Sequence, residues 1–201
     1  MVEPEYWNHN AHYQTLVLRE VPKDCRRALD VGCGDGLLAA RLATRVAQVT
    51  GVDRAPQMIE LARARTAPNL DFAVVDFVDD PDGVLTAAGY DFVSAVTVVH
   101  HVDFATALDA LVRLLAPGGR LVIVGLADDR SRWDLLVAAV AIPVNRWLAR
   151  RHGGEGGPEG MPVKGCEMSW AEVRREARRL LPGCRYRRRL LWRSSLTWQK
   201  P

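Results

Sequence analysis

The feature that most constrains the fold is a short apolar segment that passes directly into a glycine-rich turn. Residues 27–31 are typical of a buried strand, the turn is Gly32-Cys33-Gly34-Asp35-Gly36, and a helix is predicted to begin at Leu37. Further strands are predicted at 48–53, 70–75, 90–97 and 120–126, with helices at 56–65 and 103–116. Strands that alternate with helices form parallel βαβ units, so we predict a doubly wound α/β sheet with its ligand at the carboxyl ends of the strands.

Outside this alternating region the sequence predicts further elements. They are, in order, an amphipathic helix at 9–20, a strongly apolar helix at 131–151, a glycine-rich loop at 153–158, a helix at 169–181, and strands at 184–190 and 194–199. Ser169 and Glu172 have the spacing of a capping box, which places the start of the last helix.

Length and composition limit the classes of protein that this chain can be. With 201 residues and 48% hydrophobic side chains, it is long enough for one well-packed domain. The acidic start at residues 1–5 is unlike a secretory signal, and the longest uncharged apolar run, Leu135–Val144, is half of what a bilayer requires. The four cysteines form no Cys-X-X-Cys pair, which argues against a zinc ribbon or a thioredoxin-type site. We therefore predict a cytoplasmic protein without a membrane span.

The net charge of +3 is unevenly distributed along the chain. Residues 1–129 carry 18 acidic and 11 basic side chains, whereas residues 130–201 carry 6 acidic and 16 basic ones. The basic excess is mostly arginine and would suit an anionic partner such as RNA. However, Arg185, Arg187 and Arg189 alternate along one predicted strand, as in a charge-protected sheet edge. We favour this solvated surface over a nucleic-acid interface.

The glycine turn and the acids around it indicate a nucleoside site. A glycine turn lets backbone amides approach a ligand closely, but the chain has no phosphate-binding GxxxxGK[ST] loop. A dinucleotide fingerprint needs glycine three residues after Gly34, where this chain has Leu37. Asp30 precedes the turn, Asp53 ends the second strand where it can accept ribose hydroxyls, and Asp76 follows the third strand where it can meet an exocyclic amine. Together they suit a nucleoside without a phosphate.

These motifs, in this order and spacing, resemble those of the class I S-adenosylmethionine-dependent methyltransferases. The matching segments are Leu29–Gly36, Gly51–Asp53, Val75–Asp76, Tyr90–Val93 and Leu115–Leu121. The resemblance implies a Rossmann-like methyltransferase fold, with a seven-stranded, mostly parallel sheet and one antiparallel strand near the C-terminus. It also implies S-adenosylmethionine as cofactor and S-adenosylhomocysteine as product.

The resemblance further implies a set of cofactor-binding residues. They are Tyr13, Asp30, Gly32, Cys33, Gly34, Asp53, Arg54, Met58, Asp76, Phe77, Thr97 and Val98. The glycine turn would line the methionine part, with Asp30 near its amino group. Asp53 would bind the ribose, Asp76 with Phe77 the adenine edge, and Met58 would cover the adenine. Thr97 and Val98 would lie near the sulfonium, and Tyr13 is a candidate for the cofactor carboxylate. The alternative roles are a plain tight turn for the glycines and strand-end caps for the two aspartates.

Methyl transfer from a sulfonium is an in-line displacement, so the protein mainly has to align the reacting atoms. A general base is needed only when the acceptor atom carries a proton that must leave. His100 and His101 follow the fourth strand and are candidate catalytic residues, although they could instead pack against or cap the helix near Asp103. A metal site would need carboxylates grouped beside that strand, which Asp128 and Asp129 could supply with Asp103. We expect no metal, because Thr97 and His100 occupy the expected positions.

The resulting hypothesis is a single methyltransferase domain over residues 1–201. Its parts are an N-terminal helix or lid (1–22), a cofactor-binding core (23–126), an inserted apolar helix and mobile loop (127–168), and a last helix with a closing β-hairpin (169–201). We expect the apolar helix to be buried on more than one side, as part of an acceptor pocket, a protein interface or the core.

We expect methyl transfer to oxygen or nitrogen of a small, partly apolar molecule. Alternatives are an RNA or protein methyltransferase using the C-terminal arginines, or a protein that binds S-adenosylmethionine without catalysis or for a different reaction. The sequence leaves a monomer or a homodimer open.

Overall fold

The computed structural model describes residues 6–128, 132–158 and 166–201, without the side chains of 132–135 and 138. The helices are α1 (His9–Arg19), α2 (Leu37–Ala43), α3 (Pro56–Ala62), α4 (Phe104–Leu114), α5 (Arg132–Arg151) and α6 (Trp170–Leu180), with a short 3₁₀ turn at Val99–His101. The strands are β1 (Arg27–Val31), β2 (Gln48–Asp53), β3 (Leu70–Val74), β4 (Tyr90–Val96), β5 (Leu115–Gly125), β6 (Arg185–Arg188) and β7 (Ser194–Gln199).

The strands form one seven-stranded sheet in the order β3-β2-β1-β4-β5-β7-β6. Strands β1 to β5 pair in parallel, and β7 runs antiparallel to both of its neighbours, β5 and β6. The predicted fold class, a mostly parallel sheet with one antiparallel strand near the C-terminus, is therefore confirmed. The direction in which successive strands are added reverses between β1 and β4, and at such a point the loops leaving the two strands diverge and open a crevice.

The core lies on both faces of the sheet because its central strands are apolar on both sides. In β5, Leu121 and Ile123 pack on one face, whereas Val122 and Val124 pack on the other. Helices α4 and α6 contribute Leu111 and Ala177 to the first layer, and helices α1 and α2 contribute to the second layer.

The largest boundary difference from the sequence prediction lies where α4 passes into β5. The helix predicted to reach residue 116 ends at Leu114, and β5 starts at Leu115 rather than at 120. Leu115 pairs with Tyr90 at the start of β4, and the register then shifts before Phe92 pairs with Arg120. The proline and glycines at 117–119 therefore lie within an irregular part of the strand, which periodicity alone does not reveal.

The expectation that the apolar helix is buried on more than one side is wrong. Leu136, Val140 and Trp147 of α5 are 60%, 57% and 58% exposed, whereas Ala141 on the opposite face is buried. The apolar residues of this helix lie on both of its faces, so their pattern does not indicate which face packs against the protein. The side chain of Leu135, the first residue of the apolar run, lies outside the described part. No helix among the described residues is long and apolar enough to cross a membrane.

The capping box predicted for α6 is present. The Ser169 side chain accepts a hydrogen bond from the Glu172 backbone amide, and the Ser169 amide donates to the Glu172 carboxylate at 2.8 Å. These bonds satisfy amides that the first turn of a helix would otherwise leave without a partner.

We expect Ser169→Ala to lower the free energy of unfolding by about 1 kcal/mol, because an N-cap hydroxyl is lost. Urea denaturation of the purified protein measures this difference. Arg174→Ala, at an exposed position of the same helix, is the matched control and should stay within about 0.5 kcal/mol of the wild type. Equal values for the two variants would contradict a stabilising capping box.

Candidate functional site

A cleft of about 310 Å³ lies at the carboxyl ends of the parallel strands, beside the point where strand order reverses. Its volume is within the range of small-molecule sites, roughly 300–1,000 Å³. The loops after β1, β2, β3 and β4 form its walls. The residues singled out from the sequence that line it are Asp30, Gly32, Cys33, Gly34, Asp53, Arg54, Met58, Asp76, Phe77, Thr97, Val98, His100 and His101.

The first two glycines of the turn are required for different reasons. Both have positive φ, 63° for Gly32 and 54° for Gly34, a conformation that glycine adopts without strain. A Cβ atom on Gly32 would overlap the Val98 side chain, so this glycine lets the loops after β1 and β4 pack together. A Cβ on Gly34 would meet no protein atom within 4 Å, so Gly34 presents its backbone to the cleft.

The carboxylates of Asp53 and Asp76 are fixed by backbone amides. Asp53 accepts hydrogen bonds from the amides of Gly34 at 3.0 Å and Ala55 at 2.9 Å, which ties the end of β2 to the glycine turn. Asp76 accepts one from the amide of Val78 at 3.0 Å. Both aspartates therefore act as strand-end caps, and both also line the cleft. An ionised carboxylate has about four acceptor positions, so each retains capacity for a ligand.

Asp30 is buried at the floor of the cleft, with 2% of its surface exposed. It lies opposite Ser94 in the β1–β4 pairing, and the Ser94 hydroxyl donates to its carboxylate at 2.8 Å. The pKa of Asp30 is raised to about 7, mainly by burial; the Ser94 hydrogen bond opposes this rise, and the negative charges of Asp53 and Asp35 add to it.

His100 and His101 form a pair in the 3₁₀ turn after β4, with ring centroids 4.1 Å apart. Both line the cleft. They do not cap α4, because Asp103 is its N-cap and accepts a hydrogen bond from the Thr106 amide. His100 also borders a second cavity, so it lines both spaces.

The second cavity has a volume of about 240 Å³ and lies between the 3₁₀ turn, β5, β7 and the residues ahead of α6. It shares His100, Val102 and Leu126 with the cleft. Its other lining residues are mainly apolar, with a few polar groups: Val99, Asp103, Phe104, Ile123, Gly125, Cys166, Glu167, Met168, Val173, Tyr186, Ser194 and Leu196.

The expectation that Tyr13 reaches the cofactor carboxylate is not met by the geometry. Its hydroxyl donates to the backbone oxygen of Leu190 at 2.6 Å, and the side chain is packed in the core. The residues of α1 that line the cleft are Asn10, Ala11 and Gln14. These three residues lie within about 100° of one another around the helix, and Tyr13 lies about 60° outside that arc, on the side of α1 that packs in the core. Two polar side chains four residues apart, Asn10 and Gln14, were the signal that sequence reasoning missed.

The N-terminal segment is attached to the glycine turn through Asp35, a residue to which the sequence assigned no role. The Tyr6 hydroxyl donates to one Asp35 carboxylate oxygen at 3.0 Å, and Arg65 binds the other at 2.8 Å. Arg65 also donates to the Asp35 backbone oxygen at 2.8 Å. Tyr6 lines the cleft, so this network brings residues 6–8, ahead of α1, to the side of the cleft formed by the glycine turn.

Among the described residues, no group of three or more His, Cys, Asp or Glu side chains could hold a metal ion. Asp129, one of the carboxylates considered from the sequence, lies outside the described part.

Comparisons with known proteins establish the family. A family model described as "Methyltransferase domain" matches residues 29–123. An uncharacterized methyltransferase of Mycobacterium tuberculosis is 36% identical over 202 aligned positions, which cover 97% of this chain and 98% of that protein. The chain belongs to the class I S-adenosylmethionine-dependent methyltransferases. It is therefore an enzyme with S-adenosylmethionine as its cofactor.

Other proteins resemble this methyltransferase less closely. The O-methyltransferase cnsE of Penicillium expansum is 35% identical over 152 positions, which cover 67% of this chain and 54% of that protein. The N-methyltransferase NodS of Bradyrhizobium japonicum, solved in complex with S-adenosylhomocysteine, is similar in fold, with a TM-score of 0.59, 21% identity and coverage of 94% of this chain and 86% of that one.

The raised pKa of Asp30 predicts a pH dependence of stability in the ligand-free protein. The folded state holds this proton more tightly than the unfolded state, so Asp30 contributes stability below about pH 4 that is lost as pH rises to about 7. We expect the unfolding free energy of Asp30→Asn relative to the wild type to rise by up to about 1.4 kcal/mol per pH unit across that window.

Urea denaturation between pH 4 and pH 8 measures this difference. Asp71→Asn, at an exposed position of β3, is the matched control and should show a much smaller slope. A flat difference for Asp30→Asn would mean that Asp30 titrates normally.

Proposed function

We propose that this methyltransferase transfers the methyl group to an oxygen or nitrogen atom of a small, partly apolar molecule. The observation that carries the proposal is the second cavity, which is mainly apolar and adjoins the cleft, with which it shares His100, Val102 and Leu126. A pocket of this kind buries an apolar body and orients it through a few polar groups. Its size suits a small molecule rather than a segment of a folded macromolecule.

For the cofactor, we propose that the adenosine part lies against Asp53, Arg54, Met58, Asp76 and Phe77. Support comes from the fixed carboxylates at the ends of β2 and β3, which accept hydrogen bonds, and from the apolar side chains beside them. A carboxylate at a strand end is suited to bind ribose hydroxyls, as in other nucleoside sites.

We propose that the methionine part lies along the glycine turn, with Asp30 near its amino group and with Thr97 and Val98 near the sulfonium. Gly34 supports this placement because its exposed backbone allows close approach. The Tyr6–Asp35 hydrogen bond supports a lid role for the N-terminal segment, which would exclude water from this end of the cleft.

When bound, S-adenosylmethionine supplies a methyl group that is already activated for displacement. The chain therefore has to hold the acceptor atom in line and to accept any proton that it releases. We propose His100 as the base, because it borders both the cleft and the second cavity. An imidazole has an unperturbed pKa near neutrality, which suits this role. His101 borders the cleft alone and would support the orientation of its neighbour.

The arginines of the C-terminal part favour a solvated surface over an RNA site. Strand β6 lies at the sheet edge, and Arg185 and Arg187 are exposed on it. Arg179 forms a 2.8 Å ion pair with Glu176 on α6. Exposed charges on an edge strand protect the sheet from pairing with other chains.

The proposed function is tested with cofactor labelled in its methyl group, incubated with the enzyme and a fractionated cell extract. We expect label in the small-molecule fraction. Label confined to RNA or to protein would contradict the proposal, and treatment of the extract with ribonuclease and protease would identify the fraction.

We expect His100→Gln to lower kcat on the acceptor found in this way by about 10²–10⁴-fold, because a positioned base is lost. The affinity for S-adenosylhomocysteine should stay within about twofold of the wild type. A base acts in its unprotonated form, so the wild-type rate should rise with pH as the base loses its proton, and the variant should lose this rise. His101→Gln is the comparison and should lose less than about tenfold. A larger loss for His101→Gln would move the base to that residue.

A further inference from the structure

Arg193 is a buried cation without an anionic partner. It is 9% exposed and lines the cofactor cleft. Its guanidinium donates to the Asn10 side-chain oxygen at 2.8 and 3.2 Å and to the backbone oxygens of Leu191 and Trp192 at 3.4 and 3.3 Å. All of these acceptors are neutral, and among the described residues no carboxylate forms an ion pair with it.

A buried charge in this state requires an explanation. Arginine is rarely this buried unless it is paired, because removing the charge from water is expensive. Burial lowers the pKa of Arg193 to about 10, which leaves it cationic at neutral pH. Arg193 is therefore a buried positive charge in the lining of the cleft that no carboxylate among the described residues compensates.

The backbone around Arg193 is held in an unusual conformation that places this side chain. Leu191 and Trp192, which join β6 to β7, both have positive φ, 55° and 54°, an uncommon conformation for large side chains. Two hydrogen bonds hold the turn. The Tyr13 hydroxyl donates to the backbone oxygen of Leu190, and the Arg189 amide donates to the backbone oxygen of Arg193 at 2.8 Å. Tyr13 thus takes part in the site indirectly, by anchoring the segment that carries Arg193.

A neighbouring side chain adds a hydrogen-bond donor to the same cleft. Gln14 is 6% exposed and lines the cleft from α1, next to Asn10 on the same helix face. Its side-chain oxygen accepts from Arg41 at 2.9 Å, and Arg41 is itself buried. With the oxygen engaged, the amide nitrogen is the atom of Gln14 that remains to donate.

We propose that Arg193 binds a carboxylate group in the cleft, with Gln14 as a second donor. A guanidinium matches a carboxylate in shape and charge, and the pair is strongest where water is excluded. The carboxylate belongs either to the amino-acid end of the cofactor or to an acidic acceptor. The second source rests on the proposed small-molecule function; the first does not.

The cofactor source is tested by calorimetric titration of Arg193→Gln with S-adenosylhomocysteine and with methylthioadenosine, which lacks the amino-acid end. If Arg193 binds the cofactor carboxylate, the Kd for S-adenosylhomocysteine rises at least tenfold and the Kd for methylthioadenosine stays within twofold. Arg187→Gln, exposed on β6, is the matched control and should behave as the wild type with both ligands.

The acceptor source is tested on protein saturated with S-adenosylhomocysteine, titrated with hexanoate and with hexylamine. If Arg193 binds an acceptor carboxylate, hexanoate binds to the wild type and to Arg187→Gln with equal affinity. Its affinity for Arg193→Gln is at least tenfold lower. Hexylamine, which has no carboxylate, shows no such difference between the variants. Because neither titration needs methyl transfer, a failure of the proposed reaction leaves this result interpretable.

Two results overturn the proposal. The first is an Arg193→Gln protein whose affinity for S-adenosylhomocysteine and for hexanoate equals that of the control. The second is an equal loss of affinity for S-adenosylhomocysteine and methylthioadenosine together with a lower Tm, which would make Arg193 a structural tie between the hairpin and α1. If Arg193→Gln does not fold, the same titrations are made with Arg193→Lys, which keeps the positive charge but lacks the planar guanidinium. The affinity of Arg193→Lys for S-adenosylhomocysteine or for hexanoate should be several-fold lower than that of the wild type.

Discussion

The site depends on the close approach of β1 and β4 at the point where strand order reverses. The two strands pair directly, Asp30 lies opposite Ser94, and the Ser94 hydroxyl donates to the buried carboxylate. Just beyond this pair, Gly32 packs against Val98, so the two outgoing loops start in contact and then diverge. The cleft opens above this contact. A side chain at position 32 would separate the loops and displace the groups that face the ligand.

The fold and much of the cleft could be predicted because their signals are local. The glycine turn, the aspartates that end β2 and follow β3, and the histidine pair each lie directly after an apolar strand, and parallel strands bring such positions to one edge. Tyr13 was misplaced for a physical reason. An amphipathic pattern identifies a helix, but a helix turns by 100° per residue, and the face that meets a ligand is set by packing. Here that face carries Asn10 and Gln14.

The exposure of helix α5 and the burial of Arg193 could not be predicted from the sequence, for related reasons. The apolar residues of α5 suggested burial, yet the face with Leu136, Val140 and Trp147 is exposed. Arg193 is one of many arginines in the basic C-terminal part, which the sequence predicts to be a solvated surface. It is buried because β7 inserts between β5 and β6 and the connecting turn carries it towards α1. Burial of single residues in both segments depends on contacts between distant parts of the chain.

The charges around the cleft have an order that suits a ligand bearing both signs. Asp30 and Asp53 line the side nearest the parallel strands, whereas Arg193 enters from the C-terminal hairpin next to α1. The amino-acid end of S-adenosylmethionine carries an ammonium, a carboxylate and a sulfonium, so opposite charges of the protein would each meet a counter-charge. The raised pKa of Asp30 and the unpaired Arg193 are then two aspects of one arrangement. Each charge is unfavourable in the protein alone, because burial separates it from water, and a ligand of complementary charge bound there would relieve it. Destabilised groups of this kind are expected at functional sites, where binding supplies the interactions that folding leaves unmade.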